Sequence, residues 1–442
     1  MASLADLTHD DVVARSSKEP DWLRATRSEA FQALEGLAWP TPKDEDWRHT
    51  DPRGIPLDRP ITTLGGNAAR RTTGIAATVE LPAGQAHIVN GRVVDDSVAA
   101  YAAEQGVVIT DLASASGEQA DLLADELGSV VGADDAFAAA NLAAFTGGVL
   151  VSVPANVELS APIVVTVGVT EPGTHLPRLF VRLGENARAD VYIERSGSAE
   201  ATVVEVAEFL LADHAALRVA STQDWGAGVA HMGWHRGKLG RSADLRSLEA
   251  TFGGDTVYIR PEVTLDGEGA NGELYGVYYS SDDQRFEHRC LAHHRASHTT
   301  SDQVYKGAVQ GTSRSVWYGN IRIEAHAKAT SSDETNRNLI LSEDAKADSI
   351  PFLEILTSDV VACGHHSSVG QLDEMQLFYL ESRGIPRPDA ARLLVFGFFA
   401  EVLERIDIDA VAETLLGEIE GELKDAPTLV MDQRRDHRRV TA

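Results

Sequence analysis

The stretch GGVLVSVPANVELSAPIVVTVGV, residues 147–169, decides the fold. Valine recurs at short period, proline and asparagine break the run, and no helical spacing of apolar residues survives. β-Branched side chains pack well on a pleated surface, so this is strand sequence with turns between the strands. The same pattern continues through RLFVRLGENARADVYIERSG (178–197), TVYIRPEVTLDG (256–267), GELYGVYYSS (272–281) and VWYGNIRIEAHAKATSS (316–332). A sandwich, a barrel or a β-solenoid would each give short strands with glycine or asparagine at the corners. No strict repeat is present, so periodicity alone leaves the three open.

Outward from this region the chain turns helical on both sides. KEPDWLRATRSEAFQALEGL (18–37) places Leu23, Ala30, Phe31 and Leu34 on one stripe and stops at Gly36. PTPKDEDWRHTD (40–51) is polar with one buriable aromatic, Trp47, and EQADLLADELGSVV (118–131) has helical period. After Gly370, LDEMQLFYLESRG opens on Asp373 and Glu374 and ends at Gly384, as a capped helix should. RPDAARLLVFGFFAEVLERI is apolar at Leu394, Phe398, Val402 and Ile406, and DAVAETLLGEIEGELKDA at Val411, Leu415, Ile419 and Leu423. The chain ends in a short basic tail, RRDHRRVTA (434–442), expected to be solvated.

With 39 basic against 67 acidic residues the net charge is -28, a field that repels nucleic acid and anionic membrane surfaces. Two cysteines in 442 residues make no disulfide framework and suit a reducing cytosol. The first residues, MASLADLTHDDVVARSSKEPDW, carry neither the basic nor the apolar region of a signal peptide, and no apolar run approaches the ~20 residues that span a bilayer. The expectation is a cytoplasmic protein.

Four motifs bear on chemistry. GEGANG (267–272) is formally G-x-G-x-x-G, but strand-like ELYGVYYSS follows it, so it reads as a tight turn and not as a dinucleotide site. No phosphate-binding G-x-x-x-x-G-K-[ST] occurs, and no G-x-S-x-G or H-E-x-x-H. FEHRCLAHHRASHTTS (286–301) clusters His288, Cys290, His293, His294 and His298 without a zinc spacing, and reads as a row of half-exposed histidines on a sheet surface. Last, DVVACGHHSSVG (359–370) sets Cys363 two positions before His365. On an extended strand these share a face, with Cβ atoms ~6.6 Å apart, so a thiolate and an imidazole could converge on one metal. Two donors fall short of the four a structural site takes, so a metal there would need the rest from another subunit; read without a metal, Cys363 in VVAC is a small buried hydrophobe.

At this point several blocks, in order, resemble one family. PFLEILTSDVVACGHHSSVG (351–370), GQLDEMQLFYL (370–380) and ESRGIPRPDAARLLVFGFFAEVLERI (381–406) are similar to the C-terminal signature of the SufB/SufD family, scaffold subunits of the Suf iron–sulfur cluster assembly machine. HHRASHTTSDQVYKGAVQGTSRSVWYGNIRI (293–323), NLILSEDAKADSIPFLEI (338–355) and PTPKDEDWRHTD (40–51) extend the resemblance, and the C.H..VGQLDE wording is that of the SufD branch. SufB would carry another cysteine upstream for accepting sulfur, and the surroundings of Cys290 do not match that position.

The resemblance implies an α+β fold: a right-handed parallel β-helix over 146–358, between a mainly helical N-terminal domain (1–145) and a C-terminal helical domain (359–442) that docks an ATPase. It implies a non-catalytic scaffold that binds no nucleotide itself, with a SufB-type paralogue and a SufC-type ABC ATPase as partners. By the same match, Cys363 and His365 are the metal and cofactor ligands for a transient iron–sulfur cluster at the SufB–SufD interface. His366 stands where the family more often has a small residue; it is read as a bystander, with a third or substitute ligand as the alternatives. Two other readings stand beside it: a SufB-like, sulfur-accepting homodimer, and a β-helix enzyme acting on acidic polysaccharide, which the charge and the missing signal peptide disfavour.

Overall fold

In the computed structural model, which describes residues 2–62 and 74–425, the segment from Gly147 to Gly370 contains no helix. Its strands alternate between two sheets. One stacks Gly84–Val89, Ile163–Val169, Arg188–Gly197, Ala216–Trp225, Asp244–Thr251, Asn271–Ser280, Thr300–Val309, Thr330–Ile340 and Val360–Gly370 in parallel. The other stacks Gly147–Val153, Pro177–Leu183, Ala201–Leu211, Val229–Leu239, Thr256–Leu265, Arg285–His294, Arg314–Ile323 and Lys346–Ile355. The result is a parallel β-solenoid of about eight turns with helices at both ends. Ala216, Asp244, Asn271, Thr300 and Ser331 stand in one column, each a turn from the next.

The solenoid repeats in backbone conformation and not in residue identity. Asn156, Asn186, His214, Ser242, Gly269, His298 and Ala329 occupy equivalent corners, each with positive φ and each donating its N–H to a carbonyl one turn ahead. Asparagine and glycine suit that conformation; histidine, serine and alanine occupy it because the stacked turns hold them there. A sequence repeat is therefore not visible even though the structural one is regular.

Inward side chains of the early turns are small and branched: Val149, Val151, Val153, Ile163, Val165, Leu179 and Val181 are buried in one core. Outward faces are buried too, because the N- and C-terminal segments lie over them, and so the strands read as near-continuous apolar runs. On one side Trp47 stacks on Tyr258 at 4.3 Å, and Phe137 packs against Trp47 and Trp234. The helix Ala136–Ala144 is buried along its whole length, consistent with its alanines. Beside it, Arg178 and Glu208, both fully buried, pair at 2.6 Å. Arg178 also donates to Asn141 Oδ1 and the Val131 carbonyl, so neither charge lacks partners.

On the other side, Arg387–Leu403 buries Val395, Phe399 and Val402 in a cluster with Tyr275, Val277, Tyr279 and Val304, and Lys306 Nζ donates to Glu401 and to the Phe398 carbonyl. The buried stripe runs one residue later than Leu394 and Phe398, which are only half-buried. Val411, Leu415, Ile419 and Leu423 face inward as their spacing predicts. GEGANG is a turn, with Gly269 at φ +75° between two strands. The basic tail lies outside the described residues, and no described helix is long and apolar enough to cross a membrane.

The two ends of the solenoid differ. At the N-terminal end each sheet closes on an antiparallel strand: Arg92–Val98 on Gly84–Val89, and the short Val108–Asp111 on Gly147–Val153. At the other end, Lys346–Ile355 and Val360–Gly370 each pair on one side only.

Candidate functional site

Val360–Gly370 runs parallel to Thr330–Ile340, with a register shift between Thr330 and Ser331 that leaves Val361 as the extra residue. Past it the register is regular: Ser332 opposes Cys363, Asp333 opposes Gly364, and Glu334 opposes His365. Along Thr330–Ile340 the side chains of Thr330, Ser332, Glu334, Asn336 and Asn338 are the buried ones. Cys363 and His365 therefore stand on the side that faces the solenoid interior, at its open end. They share a face, as strand alternation requires.

The two donors differ in exposure. Cys363 is half-buried against the small apolar cluster of Ile321, Ile323, Leu353 and Val360, whereas His365 is exposed. His366 points the other way, with Nε2 3.6 Å from Asp333 Oδ1. Burial, and then the nearby carboxyls of Glu334 and Asp333, push the Cys363 thiol up, so it is a poor spontaneous thiolate.

Glu334 is not among the residues the sequence singles out. Its side chain is fully buried beneath His365. Oε1 accepts a hydrogen bond from the Phe352 N–H at 3.1 Å, and Oε2 has no partner. Burial pushes this carboxyl up to about 8, with Asp333 adding to the effect. An acid this far from water holds its proton at neutral pH. Because Phe352 belongs to the terminal strand of the opposite sheet, Glu334 ties that strand to Thr330–Ile340, the last strand but one of its own sheet. The only signal for it was a carboxylate amid Thr, Ser and Asn at alternate positions of TSSDETNRN (330–338), and its place beneath His365 depends on the length of a solenoid turn.

The histidine-rich segment is different from its expected form. His288 and His294 are fully buried and not half-exposed, because Arg285–His294 turns Phe286, His288, Cys290, Ala292 and His294 into the solenoid. His288 stacks on Tyr278 and binds Thr251 Oγ1; His294 is held by Thr299 and Ser301, and burial lowers both imidazoles to about 4. His293 pairs outside with Glu324 at 2.8 Å, and His298 sits on an exposed corner. These residues do not form one ligand set. Cys290 is fully buried near Tyr305 and Trp317, its thiol pushed far up by burial.

The family model described as the SufBD core domain of SUF-system iron–sulfur cluster assembly matches residues 166–398, more than half of the chain. A SufBD family iron–sulfur cluster assembly protein of Mycobacterium tuberculosis is 38% identical over 298 residues, covering 66% of this chain and 75% of its own. One from Mycobacterium leprae is 36% identical over 297 residues, covering 65% and 75% respectively. The iron–sulfur cluster assembly protein SufD of Bacillus subtilis is 27% identical over 425 residues, 92% of this chain and 95% of that protein. On fold and sequence together, the chain belongs to the SufBD family of iron–sulfur cluster assembly proteins.

Proposed function

We propose that this chain is a SufD-type scaffold subunit that does no catalysis of its own. In this reading Cys363 and His365 supply donors from one side for a nascent iron–sulfur cluster, which is cargo and not a resident cofactor. A SufB-type paralogue supplies the others across the open end of the solenoid, and a SufC-type ATPase docks on the C-terminal helices and hydrolyses ATP. The observation that carries the reading is a thiol and an imidazole on one face of a strand whose outer edge has no partner among the described residues. Thiolate and imidazole are both established ligands of iron in clusters. Exposed Phe352, Leu356, Val361 and Val369 fringe the same end, an apolar rim of the kind an interface covers. Exposed Met375, Phe378, Tyr379 and Leu393 make a second apolar surface on the C-terminal helices, which supports the docking assignment.

The SufD assignment over a SufB-like, sulfur-accepting homodimer rests on Cys290. A buried thiol held protonated is unsuited to taking sulfur from a donor protein. The likeness to the SufD of Bacillus subtilis along nearly the whole chain supports the same choice. The test is co-purification with a SufB-type and a SufC-type protein, followed by anaerobic cluster reconstitution read by visible absorbance. Failure of the chain to join either partner would overturn the proposal.

A further inference from the structure

Away from the open end, the solenoid interior holds a second donor set that the assembly function does not use. On Val229–Leu239, the residues His231, Gly233, His235 and Gly237 alternate inward while Met232 and Trp234 face the N-terminal cluster. Glu205 lies on the neighbouring strand, directly opposite Gly233. The space over Gly233 is thus shared by the Glu205 carboxylate below and the two imidazoles on either side. A Cβ at position 233 would lie 3.0 Å from His235 Nε2 and 3.4 Å from His231 Nε2, so only glycine leaves that gap open to both rings.

One ligand atom from each of Glu205, His231 and His235 lies within 4.8 Å of the other two, and all three residues are buried. His231 Nε2 faces Glu205 Oε2 at 3.3 Å without the alignment of a hydrogen bond, and its Nδ1 has no hydrogen-bond partner. His235 Nε2 stands 3.8 Å from Glu205 Oε1. Supporting groups come from the opposite sheet. Glu249 Oε1 holds His235 Nδ1 at 2.8 Å, which turns Nε2 of that ring toward Glu205 and the edge of the Arg195 guanidinium, 3.4 Å from its Nη2. Arg195 grips Glu205 through both of its oxygens, at 2.6 and 2.7 Å, and Ser221 holds the guanidinium in turn. A carboxylate on the far nitrogen of a ligating histidine and a hydrogen-bonded ligating carboxylate are the usual outer partners of a metal site.

We infer that Glu205, His231 and His235 form a buried site for a divalent first-row transition ion, zinc or ferrous iron, inside the solenoid. Two imidazoles and one carboxylate are borderline donors that suit such ions, whereas magnesium and calcium take oxygen donors. The ion would bind between the two Nε2 atoms and Glu205, leaving a further position open, and His235 would keep its Nδ1 proton on Glu249. The site joins strands of both sheets through Arg195 and Glu249, so the ion would fasten the middle of the solenoid.

Because the donors are enclosed, metal held there should survive a chelator that strips the exposed terminal strand. The experiment expresses the full chain in medium supplemented with zinc or ferrous iron, washes it with EDTA and measures metal per chain. About one ion per chain is expected to remain. The double variant H231Q/H235Q should retain less than a tenth as much, and C363A/H365A should retain as much as wild type. Wild type without chelator-resistant metal would overturn the site, as would equal retention by H231Q/H235Q. If that variant does not fold, X-ray absorption of the loaded wild type decides. A nitrogen and oxygen shell with imidazole scattering supports the site, and sulfur in the shell overturns it, because no cysteine is among the donors.

Discussion

Cys363 and His365 have unequal claims on stability and on chemistry. His365 is exposed, so its removal leaves no cavity and no unpaired buried charge. His365→Ala should therefore preserve secondary structure and partner binding, yet lower reconstituted cluster by about ten- to a hundredfold, the loss that even an outer partner of a metal site brings. His366→Ala, on the opposite face, should lower it far less; equal loss in both variants would shift the assignment. Glu334 gives a pH signature in the metal-free chain. The folded protein keeps its proton up to about 8, while the unfolded carboxyl releases it near 4.5. Stability from this group is full below 4.5 and is lost as pH rises toward 8. Glu334→Gln should flatten that loss, melting close to wild type at pH 5 and several degrees above it at pH 8. Identical melting curves across the range would refute the buried, protonated acid. At this scale, strand alternation made the shared face of Cys363 and His365 legible. Glu334 was not legible, because only the length of one turn, which the residues do not advertise, places it under His365.

Among elements, the corners and the helices show where pattern reading works and where it fails. The strand content of 147–370 was plain from valine and turn residues. The solenoid was not, because the corner that recurs is a positive φ filled by Asn, His, Ser, Gly or Ala in turn. Ala329, at φ +53°, is the least suited of these. Ala329→Gly should stabilise the chain by about 0.5–1 kcal/mol, read as a higher denaturant midpoint with unchanged slope, since glycine is free of the left-handed penalty. A lower midpoint would mean that Ala329 contributes packing that outweighs its strain. In Arg387–Leu403 the run RLLVFGFF is apolar on most sides, so periodicity could not separate the Val395–Phe399 face from its neighbour. In Arg285–His294, the absence of a zinc spacing points to half-exposed surface histidines, whereas the early turns are packed with Val and Ala and leave the interior role of His288 and His294 unannounced. The later turns fill the same interior with Tyr, Trp and His, where His288 bonds Thr251 and Tyr278 donates to Asn338.

For the whole molecule, the proposed partners would meet different surfaces. The C-terminal helices serve two masters: one face covers Tyr275, Val277 and Val304 of the solenoid, and another exposes Met375, Phe378 and Tyr379. Cutting the chain at residue 386 would uncover the sheet as well as remove the docking surface, so point substitutions are the cleaner test. Phe378→Asp with Tyr379→Ser should weaken capture of a SufC-type ATPase roughly tenfold or more, as loss of exposed aromatic anchors does, while melting unchanged. Undiminished capture would move the docking surface elsewhere. The acidic charge, legible from composition alone, is spread over this exterior and leaves the interior chemistry unannounced.

The unlike ends of the solenoid carry a last consequence, for how many copies can join. The N-terminal rim presents an antiparallel strand studded with Asp95 and Asp96, and a second strand too short to template a neighbour. Only the far rim offers parallel strands ready to continue. A rod with one blunt end and one adhesive end can meet a single counterpart, adhesive end to adhesive end, and the pair then has nothing left to extend. Polymerisation, the standing hazard of any stack of β-turns, would thereby be forbidden by geometry: in the proposed reading the assembly would terminate at two solenoids, with the cargo at the one seam between them.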